Sequence, residues 1–281
     1  MTADTAGNDS STAQEEHRKA GEMTFWEHLA ELRTRIIRSL IAIVAGTIVV
    51  AILRDRVFDF FLDPYCQVLE DIDSDEPCSL YIRDPIESFR VVIKVSFFGG
   101  LAIAMPVILW QLWRFITPAL KANERRWAVP FVTAGLILFS SGVALGYWVF
   151  PRALQFFIEV GGDNINQLYG PSEYFSLIIF LMLSFGLGFE FPILLIFLQL
   201  AGIIDYRSLA KYRRHAIVGI VVLAAVITPT GDPVTLGALS IPLYLFYEAS
   251  IVIGWFLTRH RRDQPNRSLR DRLPSWLGGN R

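Results

Sequence analysis

The sequence predicts an all-α integral membrane protein with six transmembrane helices and both termini in the cytosol. Three observations predict it. Of the 281 residues, 53% are hydrophobic and 13% aromatic, more apolar side chain than one soluble domain can bury. Charge-free windows recur along the chain, and a helix needs about 20 apolar residues to cross a hydrocarbon core of about 30 Å. The Lys and Arg residues between those windows fall on alternate sides, and cytosolic loops are the ones that carry the excess.

Taken in order, residues 1–22 are polar and acidic with no apolar run, which predicts a disordered cytosolic tail without a cleavable signal peptide. From Thr24 the pattern changes. Thr24 and Glu27 have the spacing of a helix capping box, and Trp26, Leu29, Leu32, Ile36 and Leu40 recur at helical spacing, so an amphipathic cytosolic helix leads into the first span. The windows cover residues 39–53, 95–113, 127–151, 174–204, 215–231 and 233–258; the fourth is interrupted only by Glu190 and the sixth only by Glu248. The first and fifth are short, so flanking residues extend them or the bilayer thins around them. The expected organisation is a tail over 1–22, a six-helix transmembrane domain over 23–258 and a basic cytosolic tail over 259–281.

Orientation follows from charge. Arg33, Arg35 and Arg38 precede the first span, Lys121, Arg125 and Arg126 follow the second, and Arg207, Lys211, Arg213 and Arg214 follow the fourth. Seven arginines, from Arg259 to Arg281, follow the sixth. The intervening loops are acidic or sparse: residues 55–87 hold Asp59, Asp63, Glu70, Asp71, Asp73, Asp75, Glu76 and Asp84. Six spans place every basic segment on the cytosolic side.

Enzyme signatures are missing: there is no GxSxG, HExxH, Walker loop or GxGxxG, and His17, His28, His215 and His260 are scattered. Neither catalysis, a metal, a cofactor nor a nucleic-acid partner is expected. Cys66 and Cys78, the only cysteines, lie twelve positions apart in the acidic loop. A disulfide in an oxidising compartment and two unpaired thiols both stay open. Glu190 is costly in an apolar span unless paired, protonated or wetted, which favours a contact for a substrate or a neighbouring subunit over the other reading, a protonated carboxyl satisfied by a backbone carbonyl; Glu248 sits off-centre, where a helix-packing hydrogen bond suffices. Pro106, Pro192 and Pro242 read as tolerated kinks. Gly142 and Gly146 read as close helix packing. Trp110, Trp113, Trp127 and Trp148 are spaced as membrane-interface anchors. On the cytosolic face, Glu31 and Glu124 lie among Arg33, Arg35, Arg125 and Arg126. Spacing alone favours surface ion pairs worth little; the other reading is an acidic clamp, its carboxylates held by neighbouring arginines, for a cationic peptide.

Several separated motifs then resemble the TatC family of twin-arginine translocase subunits. His28-Leu-Ala-Glu31-Leu-Arg33-Thr-Arg35 is similar to HLxELRxR; Pro106 to Leu120, with Gln111, Trp113, Phe115 and Pro118, is similar to PxxxYQxWxFxxPxL, and Glu124-Arg125-Arg126 to the ERR block. Phe189-Glu190-Phe191-Pro192 resembles FExP, and Thr228-Pro229 with Asp232 the TPxD turn, which here carries one additional residue. The resemblance runs from about Phe25 to about Phe256. It implies a TatC-like six-helix subunit of the cell membrane that self-associates. With TatA- and TatB-type single-span partners it would export folded proteins bearing twin-arginine signal peptides, driven by the proton motive force. It implies that Glu31 and Glu124 meet the paired arginines and that Arg33, Phe115, Arg125 and Arg126 shape that patch. Glu190 would face a signal hairpin or a partner helix, and Pro64 matches a proline of the first outer loop. The rival readings are a secondary transporter coupled through Glu190, which should show internal repeats that the sequence lacks, and a passive scaffold or insertase indifferent to paired arginines.

Overall fold

The computed structural model describes residues 25–71, 78–82, 84–116, 128–161, 170–200, 202–228 and 231–262. Among them the regular elements are helices: α1 Phe25–Ile52, α2 Arg54–Asp71, α3 Glu87–Ile116, α4 Ala128–Gly161, α5 Pro171–Gly188, α6 Phe191–Leu200, α7 Tyr206–Lys211, α8 Arg213–Ile227 and α9 Pro233–Arg262. Five stretches are long and apolar enough to cross a membrane: Leu29–Ile52, Glu87–Phe115, Val129–Gly161, Pro171–Leu200 and Pro233–Phe256. The remaining predicted window yields α8, whose 15 residues at about 1.5 Å each reach about 22 Å, short of a core of about 30 Å. Its C-terminal carbonyls find partners nonetheless. The Ser184 hydroxyl donates to the Ile227 carbonyl (2.9 Å), and the Thr228 hydroxyl to that of Ala224 (2.8 Å).

The amphipathic segment and the first span form one unbroken helix, α1. Glycine lets α1 and α3 meet closely: a Cβ on Gly46 would lie 2.6 Å from the Gly100 carbonyl oxygen, and one on Gly100 would run into the Thr47 backbone. The Gly142 and Gly146 pair does the same for α4 against α5, with a Gly142 Cβ falling 2.5 Å from the Phe185 carbonyl oxygen.

The acidic segment expected as a loop contains a helix. In α2 the aspartates Asp55, Asp59 and Asp63 are exposed, while Phe61, Tyr65 and Val68 are buried at helical spacing. Counting charges hid that apolar stripe. Pro64 lies inside α2 rather than in a loop, and is fully buried. A proline has no N–H to give to the carbonyl four residues earlier. The Tyr147 hydroxyl donates to that carbonyl, Phe60, at 3.1 Å, and the Tyr174 hydroxyl donates to the Phe61 carbonyl at 2.6 Å. The aromatic helices α4 and α5 thus complete the hydrogen bonding of α2. Cys66 and Cys78 form a disulfide that ties α2 to the segment leading toward α3.

Candidate functional site

Close packing of α1 on α3 brings the amphipathic start of α1 against the last turns of α3. There Arg35 Nη2 meets Glu31 Oε1 at 2.5 Å, and Arg35 Nη1 donates to Gln111 Oε1 at 3.2 Å. Glu31 and Arg35 are one helical turn apart, the spacing at which side chains share a face. Both are mostly buried, with 21% and 13% of the side chain exposed. Two of their polar atoms, Glu31 Oε2 and Arg35 Nε, are buried and have no hydrogen-bond partner among the described residues. An unpaired buried acceptor costs about 1–3 kcal/mol, more when charged.

Beside this pair a cleft of about 260 Å³ runs between α1 and α3, lined by Leu32, Ile36, Leu40, Ile108, Leu112 and Phe115 and closed at its polar end by Arg35 and Gln111. Ile108 and Leu112 also line a second, larger cavity of about 470 Å³. That cavity is walled by Leu109, Trp113, Phe131, Leu194 and Phe197 and holds Glu190. Sharing Ile108 and Leu112, the two cavities make up a mostly apolar track, with Glu190 lining the larger and Glu31 lying beside the smaller through its pairing with Arg35.

Glu190 sits at a break that the sequence did not predict. The fourth window divides into α5 and α6, with Phe189 and Glu190 forming the turn and Pro192 at the second residue of α6, where its missing N–H costs nothing. The break turns the carboxylate into the cavity. Its Oε1 is buried without a hydrogen-bond partner among the described residues. Gly135 makes the room, since a Cβ there would lie 3.1 Å from Glu190 Oε2.

The other predicted residues divide into three groups. Arg33 is exposed and Phe115 half-buried in the cleft wall, so Arg35, two positions beyond Arg33 and on a different side of the helix, is the arginine that holds Glu31. The Glu-to-Arg spacing of four residues was the available signal. Glu124, Arg125 and Arg126 lie outside the described residues, as do Thr24, Trp127 and Pro229. Glu248 does not face the track. It accepts from Arg213 Nη2 (2.9 Å) and from the Tyr244 hydroxyl (3.2 Å), clipping α8 to α9. Asp232 caps α9: its Oδ1 accepts the Thr235 N–H (2.8 Å) and its Oδ2 the Thr235 hydroxyl (2.5 Å), all buried. Trp113 is a correction to the anchor reading, because it is buried and packs on Phe131, whereas Trp110 and Trp148 are exposed.

At the opposite end of the bundle lie two charged residues that the sequence reading did not single out. Glu87 is buried, and its Oε1 accepts the Ser172 N–H at 2.9 Å, capping α5 from another helix where the local cap, Gly170, has no side chain to offer. Lys94 reaches the hydroxyls of Ser176 (2.5 Å) and Ser172 (3.4 Å). These contacts join positions 78 to 85 residues apart, for which no local pattern exists.

Residues 27–242 match the family of the Sec-independent protein translocase protein (TatC). The chain is 39% identical over 240 residues to the Sec-independent protein translocase protein TatC of Magnetococcus marinus, covering 85% of this chain and 86% of that one. It is 36% identical over 244 residues to the protein of that name from Aquifex aeolicus, covering 86% and 98%. A crystal structure of the twin arginine translocase receptor TatC in DDM is similar at a TM-score of 0.69 and 37% identity, over 81% of this chain and 99% of that one.

Proposed function

Because the chain belongs to the TatC family of Sec-independent protein translocase proteins, multi-pass proteins of the cell membrane, we propose that it is the subunit that receives twin-arginine signal peptides at the cytosolic face. The role is transport rather than catalysis. In this reading α8 is a sixth, short span, both termini are cytosolic, and the Glu31 end of the bundle faces the cytosol. Residues 1–22 and 259–281 form the cytosolic tails of the 23–258 membrane domain, although α9 itself continues to Arg262. Glu31 and Glu124 receive the paired arginines, and Arg33, Phe115, Arg125 and Arg126 shape the patch around them. Glu190 receives the signal hairpin or the single helix of a TatA- or TatB-type partner. Folded passengers are exported with the proton motive force as the energy source, by a complex in which the subunit self-associates.

The observation that carries this reading is that Ile108 and Leu112 line both the cleft beside the Glu31–Arg35 pair and the cavity that holds Glu190. A signal peptide offers guanidinium groups followed by apolar length, and the track offers a carboxylate followed by apolar wall. Guanidinium and carboxylate pair through two parallel hydrogen bonds, which a lysine ammonium cannot reproduce. The test is binding of a twin-arginine signal peptide and its twin-lysine counterpart to the purified protein, with and without Glu31→Ala or Glu124→Ala. Selective binding that collapses in the variants is expected. Equal binding of both peptides to the wild type overturns the receptor reading.

A further inference from the structure

The carboxylate proposed to receive the signal arginine is already engaged, by an arginine of this chain. Arg35 spends one nitrogen on Glu31 Oε1 and another on Gln111, so it holds only one of the two carboxylate oxygens. The other, Glu31 Oε2, is buried and unpartnered among the described residues. We propose that Arg35 is a resident competitor: the signal peptide is recognised by guanidinium exchange, in which an incoming arginine takes both oxygens of Glu31 and Arg35 swings away on Gln111. This rests on the receptor reading above and names the residue that sets its affinity.

Three features support the exchange. First, the resident pairing leaves a charged acceptor without a partner among the described residues, and a fork-to-fork pair with an incoming guanidinium satisfies it; the newcomer gains a hydrogen bond that Arg35 does not make. Second, the displaced side chain has somewhere to go. Arg35 and Gln111 both line the 260 Å³ cleft, so Arg35 keeps its Gln111 contact while its head turns into open space. Third, the resident arginine keeps the mostly buried carboxylate charge-compensated before a signal arrives. Discrimination remains with the fork of the incoming guanidinium, since lysine presents a point donor and cannot bridge both oxygens; Arg35 sets how tightly any cation must bind to displace it.

The experiment measures the affinities of twin-arginine and twin-lysine peptides for the full-length protein in lipid nanodiscs, for wild type, Arg35→Gln and Arg35→Lys. A resident competitor lowers the affinity of every ligand for Glu31 by the same factor, so its removal is expected to raise both affinities by about tenfold, the equivalent of one charge-assisted hydrogen bond, with the ratio between them unchanged. Arg35→Lys keeps the charge but loses the guanidinium that bridges Glu31 and Gln111, and should raise both affinities in the same direction; loss of positive charge alone predicts no change in that variant. A selective wild type whose affinities are unchanged or lowered in both variants overturns the exchange and leaves the receptor reading standing. A wild type that binds both peptides equally overturns the receptor reading and the exchange together.

Discussion

Where α5 begins, Glu87 accepts the Ser172 N–H and Lys94 reaches two serine hydroxyls, while the tyrosines of α4 and α5 complete the carbonyls around Pro64. Where α1 begins, and along the track beside it, Glu31 Oε2, Arg35 Nε and Glu190 Oε1 are buried without hydrogen-bond partners among the described residues. The two regions contain similar residue types in a similar solvent. What separates them is whether each polar group is answered within the chain. An answered group stabilises the scaffold, whereas an unanswered one carries a desolvation cost that a ligand can relieve. On the proposed function the α5 end is architecture and the α1 end with its track is the binding region, which can be tested by asking which substitutions move stability and which move recognition.

The largest effect on stability should come from the contact both regions depend on. Gly100→Leu forces side-chain atoms into the Thr47 backbone and should cost about 3 kcal/mol, read as the shift in denaturant-induced unfolding of the purified protein. It should also separate Arg35 from Gln111 and so alter peptide affinity. Unchanged stability would mean that the helices can part without consequence. Next in size is the disulfide. Replacing Cys66 and Cys78 with serine opens a closure of twelve residues, worth about 2–3 kcal/mol by the chain-entropy argument. Peptide selectivity should be unaffected, because α2 does not line the track. A loss of selectivity there would merge the two regions that the comparison separates.

Glu87→Ala leaves the Ser172 N–H without its acceptor and should cost about 1–2 kcal/mol, seen as a lowered Tm with the peptide affinity of the folded fraction unchanged. A lowered affinity with unchanged Tm would reverse the assignment of this end.

How far the sequence anticipated these regions follows from the range of each interaction. The spans were legible because charge is excluded from lipid over runs of about 20 residues, and the helical recurrence of Leu29, Leu32, Ile36 and Leu40 announced α1. Glu31 was legible through its motif. Arg35 stands with Arg33 among the arginines near Glu31, and the four-residue spacing to Glu31 is the local ground that singles it out, whereas the resemblance points to Arg33 as shaping the patch. The stripe of Phe61, Tyr65 and Val68 in α2 was also local, but lay beneath a run of aspartates that read as loop. By contrast, the Glu87 cap and the Lys94 hydroxyl contacts join elements far apart in the chain, and the burial of Trp113 depends on how α3 is rotated against its neighbours. The break at Glu190 is intermediate: Pro192 announced a disturbance, but the direction in which the turn aims the carboxylate is set by Gly135 on another helix.

Glu190→Gln sharpens the comparison most, because stability and function should part company there. At the α5 end, removing a charge removes a partner and costs stability. At position 190 the carboxylate has a buried oxygen with no partner among the described residues, in an apolar cavity where an ionised group is expensive, so an amide of the same shape should leave the unfolding midpoint unchanged or raise it. Recognition should move the other way. If the cavity receives a partner helix or signal hairpin through that carboxylate, the loss of a charge-assisted hydrogen bond weakens docking by about tenfold, measured by co-purification with a TatB-type subunit and by export of a twin-arginine reporter. A variant that is destabilised yet exports normally would make Glu190 a buried structural residue and would confine binding to the Glu31 end of the track.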